Sequence, residues 1–449
     1  MTISKSNFVR SVSMLTGATA FSQLLMLAAL PVLTRIYGPQ DFGILAVFTA
    51  TLGIISSVSS LRYHIAIPLP KTDGLASNLL ALALISVSFF AVLVTLATLL
   101  IPEKFLAGIV PAEQTGNLWI LGLGVLVVGV YNTFRFWATR KKAFKRIAVT
   151  RVEQAIGGIG AQVGFGLLGY GAFGLVIGQL VSQGAGFLGL ARRAIKEDRR
   201  AFTQISLSRI RKAANLYGHY PRFSTFEALA NAASIQVPLL VIVVFTGSAE
   251  LGILMLAMRI MQAPLSLVGA AVSQVYYSQA VDDKRSNQLS QTTGNVLAGM
   301  AKLGLGPMLF AAIVAPFVFG PIFGQEWQRA GELLAWMVPW FMLQFLSSPV
   351  SMALHVAKRQ KLALGLQLFG LVFRISAVII AGTIVINADV SKWYAVSGAI
   401  FYSVYLIVVI NVVGMRFTET LGRLSSSLPY VLVWAICAVT VSYLANLYI

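Results

Sequence analysis

Five ionisable side chains interrupt long apolar stretches of this sequence: Arg62, Glu227, Arg259, Lys302 and Arg374. A charge held in hydrocarbon is costly, so such residues by default mark a path for a polar substrate or an ion. Four of the five are cations, which suits an anionic ligand such as a phosphate or diphosphate headgroup. Amides share these stretches (Asn231, Gln236, Gln262, Gln274, Gln344 and Gln367), and could hydrogen-bond sugar hydroxyls. Each amide alone serves equally well as polar glue between helices. For Arg62, Glu227 and Lys302, snorkelling to the membrane interface or pairing between helices is an equal alternative. Arg374 has about a dozen apolar residues on either side, too deep for easy snorkelling, and reads as lining a cavity. The substrate-binding set expected from the sequence is therefore Arg62, Arg259, Arg374, Lys302, Glu227, Asn231 and Gln262.

No enzyme constellation accompanies them. The chain has no phosphate-binding P-loop, no zinc-protease helix motif and no nucleophile elbow. Gly157-Gly158-Ile159-Gly160 lies inside an apolar run and not after a strand, so it is no dinucleotide fingerprint. His64, His219 and His355 are far apart and Cys437 is the only cysteine, which leaves no metal-ligand spacing and no internal disulfide. No catalytic residue, metal or cofactor is expected.

The elements that would carry the charged set are membrane helices. Of the 449 residues 57% are hydrophobic and only 11% charged, and mean hydropathy is +0.80; a soluble domain carries about 25% charged residues. Apolar runs bounded by charge predict spans at 12–34, 42–61, 77–101, 117–137, 152–169 and 171–191. After a basic stretch come 222–245, 251–277, 294–323, 331–354, 362–386 and 393–415, and a thirteenth run covers 428–447. The fifth is the weakest, being short, Gly-rich and opened by Glu153. The first, after Lys5 and Arg10, is too long for a signal-peptide core and reads as an uncleaved span.

The net charge of +19 would suggest nucleic acid in a soluble protein, but its placement points elsewhere. In alternate loops, 27 of the 34 Lys and Arg residues fall on the side of the N-terminus. The opposite loops hold Arg35, Lys104, Arg329 and Lys392. That asymmetry predicts a cytoplasmic N-terminus and the lipid bilayer, not nucleic acid, as the partner.

Asp41-Phe42-Gly43-Ile44-Leu45 before the second span matches Glu250-Leu251-Gly252-Ile253-Leu254 before the eighth, at equivalent places in two sets of six spans. Six being even, both halves start on the same side, so the repeat is parallel, about an axis along the membrane normal. The predicted fold class is an all-α polytopic membrane protein with two parallel six-helix bundles and one additional C-terminal hydrophobic helix. The expected divisions are a bundle at 1–195, a cytoplasmic basic linker at 196–215, a second bundle at 216–418 and the extra helix at 419–449. Gly160 with Gly164, and Gly174 with Gly178, put small residues on one helix face and predict close helix packing.

Four segments in order carry a family resemblance. They are Leu33-Thr34-Arg35-Ile36-Tyr37-Gly38-Pro39-Gln40-Asp41-Phe42-Gly43; Arg62-Tyr63-His64-Ile65-Ala66-Ile67-Pro68-Leu69-Pro70-Lys71; Arg140-Lys141-Lys142-Ala143-Phe144-Lys145-Arg146-Ile147-Ala148; and Leu265 to Tyr276. Over nearly the whole chain the sequence resembles the bacterial polysaccharide flippases, the lipid-linked oligosaccharide exporters of the multidrug/oligosaccharidyl-lipid/polysaccharide superfamily. The resemblance implies a V-shaped pair of six-helix lobes with alternating access in the bacterial cytoplasmic (inner) membrane. It also implies transfer of a polyprenyl-diphosphate-linked oligosaccharide to the outer leaflet for O-antigen, capsule or exopolysaccharide synthesis. A glycan polymerase or export machinery would be the further partners. Members commonly have 12 or 14 spans, so thirteen is a departure and leaves the C-terminal tail open between a span and an interfacial or re-entrant helix. Two alternatives stand beside it: a cation-coupled multidrug exporter of the same fold, and a glycan polymerase or ligase using the same lipid-linked substrate. The first needs buried acids, of which only Glu153 and Glu227 are candidates; the second needs a sizeable catalytic outer loop, and the longest here is 101–116.

Overall fold

The computed structural model describes residues 5–100, 117–286, 288–357, 359–385 and 388–448. The expected outer loop 101–116 with Lys104, and Lys358, lie outside the described residues, as do the side chains of Lys5, Arg10, Gln274 and Arg285. Among the described residues the fold is all helical. Each of the thirteen apolar runs falls on a helix or on a helix pair. The chain forms two compact units, Met1–Tyr37 with Ile44–Leu240, and Gly38–Gly43 with Val241–Ile449.

In the first unit, α1 (Lys5–Ile36), α2 (Pro39–Ser59), α4 (Asp73–Leu100), α5 (Ile120–Arg140), α6 (Phe144–Leu167) and the pair α7 (Gly171–Gly184) and α8 (Phe187–Glu197) are the six spans. A short helix α3 (Tyr63–Ala66) joins α2 to α4. The hydropathy that makes α4 an unambiguous span is missing from α6, whose first turns carry Lys145, Arg146, Arg151 and Glu153. Its inward face is bonded across to its neighbours: the buried Gln154 side-chain amide donates to the Gln183 carbonyl, and the main-chain carbonyl of Gln162 accepts from Tyr37 Oη. Gly174 and Gly178 lie against Phe165 and Gln162 of α6, as close packing requires, while Gly160 and Gly164 approach no neighbour.

The basic 196–215 stretch is folded onto this unit. Helices α9 (Arg199–Phe202) and α10 (Leu207–Leu216) cap α4, with Ala201 and Ala213 entering the same apolar cluster as Leu79, Trp137 and Ile147. The buried Ser77 and Asn78 hold the cap: Ser77 Oγ donates to the Ala201 carbonyl (2.7 Å), Asn78 Nδ2 to that of Gln204 (3.3 Å), and Ser206 N donates to Asn78 Oδ1 (3.1 Å). Asp198 accepts from Trp137 Nε1 (2.9 Å) and pairs with Lys141 (2.6 Å), which also reaches Asp73 (2.7 Å). Arg140 pairs with Asp73 (2.9 Å) and donates to the carbonyls of Pro68 (3.3 Å) and Pro70 (2.6 Å). Two segments that carry the family resemblance thus meet in a structural staple.

Helix α11 (Thr225–Pro264) runs on for 40 residues. At 1.5 Å per residue that is roughly 60 Å, about twice the hydrocarbon thickness. It is two helices broken at Gly247 (φ 80, ψ 174), a conformation only glycine adopts freely, so it holds both the seventh and the eighth span. In the second unit follow α12 (Ala270–Arg285), α13 (Leu289–Phe323), α14 (Gln328–Val350) with α15 (Met352–Val356), α16 (Gln360–Thr383) and α17 (Val390–Val412). The tail is α18 (Phe417–Ser425) and α19 (Leu428–Tyr448), bent by 51° at the break. Counted by length and apolarity alone, ten stretches among the described residues can cross a membrane, or eleven with that bent pair. The break at Gly247 and the charged start of α6 account for the two remaining runs.

The duplicated motifs meet inside the second unit. A methyl group at Gly43 would strike the Ser248 carbonyl, and one at Gly252 would strike the Pro39 carbonyl and come within 2.7 Å of Gly43 N. Only glycines allow this backbone contact, which explains the residue at the centre of both repeats. Phe42 packs edge-on against Trp327 (4.9 Å). The acid of the second motif, Glu250, takes both arms of Arg329 (2.7 and 2.8 Å), which also pairs with Asp389 (3.0 Å). Two of the four cations expected on the far side, Arg329 and Lys392, are therefore neutralised by Glu250 and Asp389.

Candidate functional site

Helix α2 ends in a serine run. Ser57 and Ser59 hydroxyls donate back to the carbonyls of Ile54 (2.7 Å) and Ser56 (3.1 Å), competing with the helical ladder. The chain then turns through Leu61 (φ 48) and Arg62 (φ 61, ψ 7). Two successive non-glycine residues in the left-handed region are strained, and such strain persists only where the surroundings over-determine it. The turn aims Arg62 into the first unit, where its Nε is buried and has no hydrogen-bond partner.

Two residues on, His64 is buried, bonded through Nδ1 to Ser60 Oγ and set edge-on to Phe136 (5.1 Å). Burial, then the neighbouring charges of Arg62 and Arg135, push its imidazole down to about 3, so it is neutral at ordinary pH. Arg135 in turn lies in the field of Arg151. Arg135 and Arg151 line a cavity of about 310 Å³ with Gln23, Asn132, Gln154 and Gln183, and no carboxylate lines it. Arg151 Nη1 reaches Gln154 Oε1 (3.4 Å). Glu227, exposed on α11, is the acid that acts on Arg62, through space and not as a contact ion pair. The first unit thus places Arg62 and Arg135 beside neutral His64, and Arg135 with Arg151 and several amides in one cavity, with Glu227 acting on Arg62. Such a set of groups could hold an anion with several oxygens.

Of the expected set, Arg62 and Glu227 come together, and Asn231 follows Glu227 by one helical turn, exposed. Sequence reasoning does not single out Arg135 and Arg151, which fall among the 27 cations counted in the basic loops; Arg135 sits in the last turns of α5 and Arg151 in α6, one residue before the 152–169 run. The other expected residues lie in the second unit. Arg259 is half-buried on α11 with Nη1 unpartnered, and Gln262, three residues later, is exposed. Lys302 is exposed on α13, its ammonium 5.9 Å from the Tyr430 ring centroid. Arg374 is 7% exposed and enclosed by the rings of Trp340 (4.9 Å), Phe401 (4.7 Å) and Tyr402 (5.4 Å). The phenols of Tyr394 and Tyr402 lie in its electrostatic reach, while its Nε and Nη2 have no hydrogen-bond partner. Three different environments separate Arg259, Lys302 and Arg374.

The helices and their order define an all-α fold built of membrane-length helices. Residues 32–332 match the polysaccharide biosynthesis protein family, and the chain belongs to that family. No curated protein matches the sequence. Among solved structures, the fold is similar to a lipid II flippase MurJ in an inward closed conformation, with TM-score 0.73 and 16% identity over 96% of this chain and 97% of that one. It is also similar to an inward-facing multidrug resistance MATE family transporter of the MOP superfamily, with TM-score 0.60 and 15% identity over 92% and 94%. A MOP superfamily transporter from Pyrococcus furiosus follows at TM-score 0.55 and 17% identity over 90% and 95%.

Proposed function

We propose that this chain carries a polyprenyl-diphosphate-linked oligosaccharide from the cytoplasmic to the outer leaflet of the bacterial inner membrane, by alternating access, for surface polysaccharide synthesis. The observation that carries the reading is that Arg135 and Arg151 share one cavity of the first unit with no carboxylate lining it among the described residues, while Arg62 and Arg135 both act on His64. A diphosphate presents oxygens to several guanidinium groups at once, and charge-assisted hydrogen bonds are the strong ones. Family membership and the flippase-like fold support the same cargo class. His64, neutral beside Arg62 and Arg135, adds no further positive charge when the cargo is absent. Sugar hydroxyls would fall to the amides around the cavity.

The test is flipping by the reconstituted full chain, with a fluorescent short-chain polyprenyl-diphosphate saccharide and a quencher outside the vesicle. Replacing both Arg135 and Arg151 by Ala should slow flipping roughly tenfold or more, since each charged hydrogen bond is worth about 1.5–3 kcal/mol. Replacement by Lys should preserve part of it. Wild-type flipping by a folded Arg135→Ala/Arg151→Ala chain would sink the assignment.

A second reading, a cation-coupled multidrug exporter, draws on the likeness to the MATE transporter and on Glu227 beside Arg62. Drug resistance conferred by overexpression and abolished by Glu227→Gln would favour it. A polymerase or ligase has no support in a transporter fold.

A further inference from the structure

A second cavity, of about 620 Å³, opens in the other unit where α12, α13, α16 and α17 end or begin. Lys284 and Arg359 stand at its rim, Ser290 and Asn411 add neutral hydrogen-bonding groups, and Leu362 and Val408 belong to an apolar wall. No acid lines it. Lys284 Nζ donates to the Val356 carbonyl (2.6 Å), which fixes the ammonium against the end of α15, and Arg359 N donates to the Leu354 carbonyl (2.8 Å), which fixes the turn that presents the guanidinium. Arg359 forms no contact ion pair among the described residues.

We infer that this cavity binds one anionic phospholipid of the surrounding bilayer. Two cations without a lining acid need a counter-charge, and helix ends of a membrane bundle lie at headgroup depth. Basic pockets between transmembrane helices take lipid phosphates in this way. The apolar wall distinguishes a lipid from a free anion: a phosphodiester meets Lys284 and Arg359 while the first methylenes lie along Leu362 and Val408. Asn411 and Ser290 then face the glycerol oxygens. The volume is of the size that holds a small ligand or headgroup. This cavity belongs wholly to the second unit, apart from the arginines assigned to cargo, so the inference stands whether or not the flippase reading holds.

Native mass spectrometry of the full chain in detergent tests it, with phosphatidylglycerol as the probe. The wild type should retain one lipid, and Lys284→Ala/Arg359→Ala should weaken retention roughly tenfold or more. Lys284→Arg/Arg359→Lys should keep it, which separates lost charge from lost folding. Arg192→Ala/Arg211→Ala, removing one cation from α8 and one from the basic cap of the first unit, should leave it unchanged. Equal retention by the double-alanine chain, or phosphatidylcholine bound as tightly, overturns the site. Displacement by millimolar inorganic phosphate would make it a free-anion site, and preferential binding of a polyprenyl phosphate would make it a cargo site; either result overturns the proposal.

Discussion

The imidazole of His64 illustrates how a buried group among cations shapes this protein. Its value of about 3 when folded lies below the ordinary 6.5. The unfolded chain therefore takes up the proton first, and the unfolded state binds more protons between those two values. Stability from His64 is complete above pH 6.5 and is lost as pH falls towards 3, at up to about 1.4 kcal/mol per pH unit inside that window. We expect the thermal midpoint to drop between pH 7 and pH 5 and a His64→Gln chain to drop less; parallel curves would refute this. Arg374 belongs to the same scale but to different physics. Held by three aromatic faces, it contributes through cation–π contacts and packing. Arg374→Ala should lower stability without cargo by on the order of 2 kcal/mol, whereas Arg135→Ala should leave the empty protein's midpoint nearly unchanged. Differential scanning of both purified variants distinguishes these roles.

Among the elements, the contact between the repeated motifs has the sharpest requirement. Because the obstacle at Gly43 is the Ser248 backbone and at Gly252 the Pro39 backbone, no side-chain rotation relieves an added methyl. Gly43→Ala should cost about 2 kcal/mol or more, while Gly160→Ala, facing nothing, should be neutral or slightly stabilising. A thermal-shift series covers both, and equal behaviour of the two variants would contradict the interlock. The basic cap α9–α10 makes a second case. Asp198 joins Trp137 and Lys141, partly exposed, so Asp198→Ala should cost only about 1–2 kcal/mol, yet it should expose the 196–215 segment to limited proteolysis. Unchanged cleavage would mean that the cap is held by Ser77 and Asn78 alone.

For the whole molecule, the charge asymmetry supports an orientation with the basic loops in the cytoplasm. In a Cys437→Ala background, single cysteines at Ser208 and Ser286 should react with an impermeant thiol reagent only after the membrane is opened, and one at Gln325 in intact cells; the opposite pattern would reverse the topology. The fold class, the apolar runs and the duplication were legible because a bilayer imposes span length and charge placement on the sequence directly. The positions of Arg62 and Glu227 beside apolar runs are likewise visible without coordinates. What only the tertiary structure decided is which charges share a site. Helices α5 and α6 bring Arg135 and Arg151 to one cavity, three rings lie over Arg374, and Ser77 and Asn78 bind the backbone of the 196–215 stretch. The reason is one of range. Hydropathy and charge asymmetry are properties of a residue's own segment, whereas a guanidinium's neighbours come from helices tens of residues away, and one helical turn more or less changes which of them it meets.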